Sequence, residues 1–237
     1  MAAADCPVPL HPVPPDLDAE LADMKRAQRC LGMCDDLVSK TTWTLVKKQA
    51  GNVVTYVRLK QLELCVASLA LYYVLAFIRS AKRRVPASAV PALVNASLFL
   101  AYKLLMPSDT SLVDAPSFLK SINVSGSKQF ALHVCEVERD VLIGLDHRLH
   151  VVTVVDAAMW MHRCLVAVNW THAAEAGERV QQVMLHLLPS CAWSTCLPVT
   201  LAAASWMLVL SSLRTPNAMQ CVLFFYGVEE AHVSAAL

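Results

Sequence analysis

The sequence predicts an all-α protein built as two consecutive helical bundles, each wrapped round a buried central helix. Three observations lead there. Apolar residues recur at helical spacing from Leu21 onward, and no run alternates with period 2 for long. The composition is 56% hydrophobic and 16% charged, with only 6 Gly against 12 Pro; ordinary domains hold about 45–50% and about 25%. So little glycine argues against hairpin-dense β folds and Gly-rich phosphate loops. The third observation is an internal echo. Residues 91–100 (PALVNASLFL) align with residues 198–207 (PVTLAAASWM), 107 positions later. Both segments enter after a proline, are apolar on every face and are rich in small residues. Small residues on a central helix let its neighbours approach closely.

Length and charge bound the rest. At 237 residues the chain is one or two domains. Lys and Arg number 20 against 19 Asp and Glu, a net charge of +1. That balance excludes a strongly basic nucleic-acid binder and an acidic disordered protein. Residues 1–20 are proline-rich and then acidic (Asp16, Asp18, Glu20), a composition that buries no core, so a flexible tail is predicted. The first bundle then spans 21–150 and the second 151–237.

In chain order the predicted helices are 21–37, 41–52, 58–80, 86–106, 112–121, 126–146, 153–170, 173–188, 197–213 and 216–226. Each carries apolar residues at i, i+3, i+4 spacing and stops at a breaker. The breakers are Gly51-Asn52, the basic run into Pro86, Met106-Pro107-Ser108-Asp109, Val124-Ser125-Gly126, and Leu213 to Asn217. Ser108-Asp109 and Thr215 suit N-caps. The β-branched cluster at 151–155 reads as an extended linker or the start of a helix.

Three apolar stretches raise the question of a membrane. Residues 64–78 carry no charge but are short, 85–102 hold Pro86, Pro91 and Asn95, and 187–213 hold two prolines and several hydroxyl residues. A spanning helix wants about 20 clean apolar residues, whereas a helix apolar all round also suits the centre of a bundle. A bundle without a membrane is expected; a polytopic α-helical membrane protein is the alternative. No secretory start is visible. Nine cysteines at irregular positions, with the wrong spacing for zinc at Cys30/Cys34 and Cys191/Cys196, then read as free thiols in a reducing compartment.

Catalytic chemistry is not written in the sequence. There is no dinucleotide or phosphate loop, no G-x-S-x-G and no H-E-x-x-H. His147 and His150 would share a helix face, but no third metal ligand accompanies them. No catalytic residue, metal or cofactor is expected. The informative segments are Leu100-Ala101-Tyr102-Lys103, an apolar helix ending in one lysine, and the amphipathic stretch Glu138 to Leu149. A cation in a last turn complements the helix dipole, which by itself accounts for Lys103.

These two segments resemble the first box of cyclins. There a helix ending in L-A-x-K precedes, by some 30 residues, a helix of the form E-x-x-[VL]-L-x-x-L-[DT]-[FWH]-x-L. The segment Cys65 to Phe77, with Tyr72 and Tyr73, is similar to the helix before the central one, and Leu197-Pro198 to Leu210 is similar to the central helix of the second cyclin fold. Ile122-Asn-Val-Ser125 and Leu145 to Val151 resemble the PHO-type (P/U-type) cyclins in particular. Three departures stand out: Leu75-Ala76-Phe77 replaces an Asp-Arg-Phe, Leu104-Leu105 replaces an acidic residue after the lysine, and no M-R-A-I-L-type segment occurs in 40–60. The last argues against recruitment of Arg-x-Leu motifs.

The resemblance implies two cyclin-fold bundles and a non-catalytic regulatory subunit in the nucleus or cytoplasm. Its partner would be a cyclin-dependent-type protein kinase, bound beside the αC helix. It places Lys103 and Glu138 as an exposed pair hydrogen-bonding the kinase backbone. Leu104, Leu105, Met106, Val134 and Val141 are the candidate apolar core of that interface; ordinary bundle core accounts for them equally well. No nucleic acid and no membrane are expected as partners. A cyclin fold serving as an adaptor in transcription is a further alternative, against which the net charge of +1 speaks.

Overall fold

Helices account for nearly all of the chain that the computed structural model describes: residues 15–27, 39–81, 85–106, 115–121, 128–191, 195–215 and 217–236. They are α1 (Pro15–Ala27), α2 (Lys40–Leu59), α3 (Leu64–Ser80), α4 (Val90–Leu105), α5 (Ala115–Ser121), α6 (Lys128–Gly144), α7 (Val154–Ala167), α8 (Ala173–Ser190), α9 (Pro198–Ser212), α10 (Ala218–Tyr226) and α11 (Glu230–Ala236). No strand occurs among the described residues, so the all-α class holds. The chain divides into two compact units. One holds α2–α6; the other holds α1, α7, α8 as far as Leu187, and α9–α11.

In the first unit α4 is the central helix, contacted by α2, α3, α5 and α6. From Ala92 to Tyr102 only Asn95 is not fully buried, and its amide donates to the Pro91 carbonyl at 2.9 Å. Pro91 sits in the first turn, where its missing N–H is not needed. On α3, Tyr73 is wholly buried and its hydroxyl donates to the Leu149 carbonyl at 2.6 Å. Burial, with Tyr72 beside it, pushes the Tyr73 phenol well above its ordinary pKa, so it stays a neutral donor.

The break expected at Gly51-Asn52 is absent, and α2 runs through it to Leu59. The reason is its buried stripe: Val46, Ala50, Val53, Val54 and Val57 lie at i, i+4, i+7, i+8 and i+11. Losing that burial would exceed the roughly 1 kcal/mol that one helical glycine costs. A Cβ added at Gly51 would meet nothing within 4 Å. Gly51→Ala is therefore expected to stabilise the protein by about 0.5–1 kcal/mol, read as a higher urea midpoint; a lower midpoint would refute the open, helical placement.

In the second unit α9 packs against α7, α10 and α11. Its run Ala202-Ala203-Ala204-Ser205 is buried, which brings backbones close. Three aromatic side chains are moored by their polar tips: Trp206 Nε1 donates to Ala158 O at 2.9 Å, Tyr226 to Ala157 O at 2.8 Å, and Trp160 Nε1 to Leu17 O at 2.8 Å. The 91–100/198–207 echo thus marks the central helices of the two units.

Several boundaries differ from the sequence expectation. Residues 15–20, expected in the tail, open α1. Pro15 starts the helix, Asp16 and Asp18 complement its dipole, and Leu17, Leu21 and Met24 form an apolar stripe. This helix packs on α7 in the second unit, so residues 21–27 do not join the first bundle; Glu20 pairs with Arg163. The 151–155 cluster is extended up to Thr153, which forms a capping box with Asp156 and starts α7. Thr215 is buried and caps nothing; Asn217, in the left-handed region, precedes α10. Helix α11 was not foreseen, and Ser108-Asp109 lie outside the described residues. Among those residues only Ala87–Leu105 is long and apolar enough to cross a membrane, and neighbouring helices bury most of it.

Candidate functional site

The site sits where the last turn of α4 meets the middle of α6. Beneath it Ala96, Leu119, Ala131 and Val134 pack together, with Phe130 and Val137 against them. Phe118 of α5 stacks on Phe99 at 4.9 Å and lies 5.8 Å from the Tyr102 ring, holding the end of α4 against its neighbours.

On this floor Lys103 donates to Glu138 Oε1 in an ion pair. Its ammonium also lies over the Phe99 ring, 4.4 Å from the centroid. The i, i+4 spacing of Phe99 and Lys103 puts both on one helix face, and the ring's negative face attracts the cation. The pair is unequal. The Lys103 side chain is 39% exposed and that of Glu138 only 11%. The sequence expectation of an exposed pair therefore holds for the lysine and is corrected for the glutamate. A carboxylate so withdrawn from water needs the ammonium beside it. Lys103 has three N–H donors and gives one to Glu138, which leaves two to bond water or a partner.

The apolar candidates divide. Leu104 and Met106 are half-buried and Leu105 is exposed, all at the end of α4. Val134 and Val141 are fully buried and belong to the bundle core, not to a surface. Lying four residues before and three after Glu138, they share its inward helix face. Phe99 is the residue that the motif comparison missed, although its spacing from Lys103 was a usable signal.

The other chemical candidates do not assemble. Helix α6 stops at Gly144, and Asp146 and His147 both adopt left-handed conformations. His147 and His150 are exposed in the turn beyond, so they do not share a helix face. No group of three metal-ligating side chains occurs among the described residues. Burial pushes the Cys164 thiol up to about 12, which keeps it protonated and non-nucleophilic.

No protein-family model matches the chain, and no curated protein matches it. Among solved structures it is similar to a viral cyclin from herpesvirus saimiri, with a TM-score of 0.63 and 11% identity. The likeness covers 94% of this chain and 96% of that one. Identity this low speaks for the fold, and the chain has the cyclin fold.

Proposed function

With the cyclin fold as premise, we propose that this protein is a cyclin-like regulatory subunit, itself non-catalytic, that binds and activates a cyclin-dependent-type protein kinase. The observation carrying this is the Lys103–Glu138 pair, seated on the α4–α6 seam with the lysine open to a partner. A protein kinase transfers phosphate only when its β3 lysine and αC glutamate are paired. A partner with higher affinity for the αC-in form shifts the population toward it. Lys103 would donate to backbone carbonyls of the kinase, and Glu138 would accept backbone N–H groups through its remaining lone pairs. Leu105, with the half-buried Leu104 and Met106, would supply apolar contact, while the charges set orientation. The proposal extends to a nuclear or cytoplasmic location and to a PHO-type affinity, supported by the sequence at 145–151.

The test is recovery of the tagged full chain from native-cell lysate in detergent-free buffer, followed by a protein-kinase assay of the eluate. Kinase activity that disappears when the chain is stripped away, and returns when it is added back, is the expected result. Recovery only from the membrane pellet, without kinase activity, would overturn the reading in favour of a membrane protein.

A further inference from the structure

One side of α2 carries a line of exposed cations that have no counter-charge among the described residues. Residues 37–108 hold ten Lys and Arg and one carboxylate, Glu63, a local net of +9 in a chain whose total is +1. Five of those cations, Lys40, Lys47, Lys48, Arg58 and Lys60, lie on α2 or its C-cap, and all are exposed. None takes part in an ion pair among the described residues. Lys40 stands in the first turn, where a cation opposes the helix dipole and no acid offsets it.

The geometry is linear. At 100° per residue Lys40, Lys47 and Arg58 fall on one line along the helix, with Lys48 beside it. At 1.5 Å rise per residue the three are spaced about 10 Å and about 16 Å apart. Between them the face is small and polar: Thr44 and Thr55 bond their own helix carbonyls, and Gly51 leaves open space. Lys47 lies over the half-buried Trp43 ring, 5.5 Å from its centroid.

We propose that this face docks an acidic segment of a partner protein, an extended peptide carrying Asp or Glu. An extended chain advances about 3.3 Å per residue and turns every second side chain to one face, so carboxylates at i and i+8 would span the roughly 27 Å from Lys40 to Arg58, with one at i+4 in reach of Lys47. Charge complementarity selects this occupant over the other polyanions. The one aromatic on this face, Trp43, is half-buried with Lys47 over its ring, and three of its four cations, Lys40, Lys47 and Lys48, are lysines, without the bidentate fork that favours phosphate. Leu59 is the one exposed apolar side chain of α2, too little to insert into a lipid surface. The remainder of the chain carries a net −8, which repels a long nucleic acid more than a short peptide. The proposal does not depend on a kinase partner.

The test is fluorescence anisotropy on the full chain with a labelled peptide of alternating Glu and Ser, about twelve residues long to span the helix. A single-stranded oligonucleotide of equal charge and phosphatidylserine vesicles are the competitors. Salt-sensitive peptide binding is expected, weakened at least about tenfold by Lys47→Glu with Lys48→Glu. Lys120→Glu with Lys128→Glu, the same charge change on exposed positions of α5 and α6, should change it less than about twofold. Lys40→Gln with Arg58→Gln should weaken binding without reversing charge, which covers any misfolding of the first variant. Equal losses from both double reversals would overturn the site. Tighter binding of the oligonucleotide or vesicles, or no peptide binding, would overturn the occupant.

Discussion

Lys103→Ala combined with Glu138→Ala is expected to leave the fold in place and remove kinase activation. The two groups satisfy each other, so removing both strands no charge. Lys103→Ala alone would leave a carboxylate 11% exposed and unpaired above the Ala131 and Val134 core, at about 1–3 kcal/mol of stability. The double variant avoids most of that penalty, so its effect on activation is not an effect on folding. Two charge-assisted hydrogen bonds to a partner, each about 1.5–3 kcal/mol, correspond to at least about a hundredfold loss in apparent affinity. Kinase activity titrated against the chain reads the loss, and circular dichroism melting reads the fold. Unchanged activation by a folded double variant would remove Lys103 and Glu138 from the interface.

The second large effect is expected at Trp206. Its side chain is fully buried on α9 and bonds the Ala158 carbonyl of α7. Trp206→Ala should cost about 3–5 kcal/mol through the cavity alone. Trp206→Phe keeps most of the packing and loses the hydrogen bond, and should recover more than half of that. The unfolding midpoint in urea measures both. A cost for Trp206→Ala below about 1 kcal/mol would mean that the site collapses freely, which a close-packed central helix does not do.

What was legible in the sequence follows from periodicity. Helix interiors, the all-α class and the two central helices are patterns of apolar and small residues, and burial obeys those patterns directly. The site was partly legible: Lys103 and Glu138 fall within the motif comparison, and Phe99 could have been added by spacing. Helix ends were less so. Gln61, Asp146, Asn169 and Arg214 all adopt left-handed conformations just beyond α2, α6, α7 and α9. In each case two backbone N–H groups turn back onto the last carbonyls, as Leu62 N does to Val57 O at 3.0 Å and Trp170 N to Leu165 O at 3.0 Å. Glycine normally marks such endings. Here other residues bear a strain of about 1–2 kcal/mol, offset where the following apolar residue packs, as the buried Trp170 does. The proline density before α1 misled in the opposite direction, because Pro15 serves as a helix start and the docking of Trp160 on Leu17 holds that turn.

By itself the sequence determined which faces are apolar, where the charge is segregated and that the protein is helical, since these depend on side-chain chemistry at fixed helical spacing. The tertiary structure alone decided that α1 belongs with the second unit, that Val134 and Val141 are core rather than surface, and that Glu138 is buried while Lys103 is open. Each of these depends on which neighbour covers a given helix face, and a single helix repeat carries no information about its neighbour.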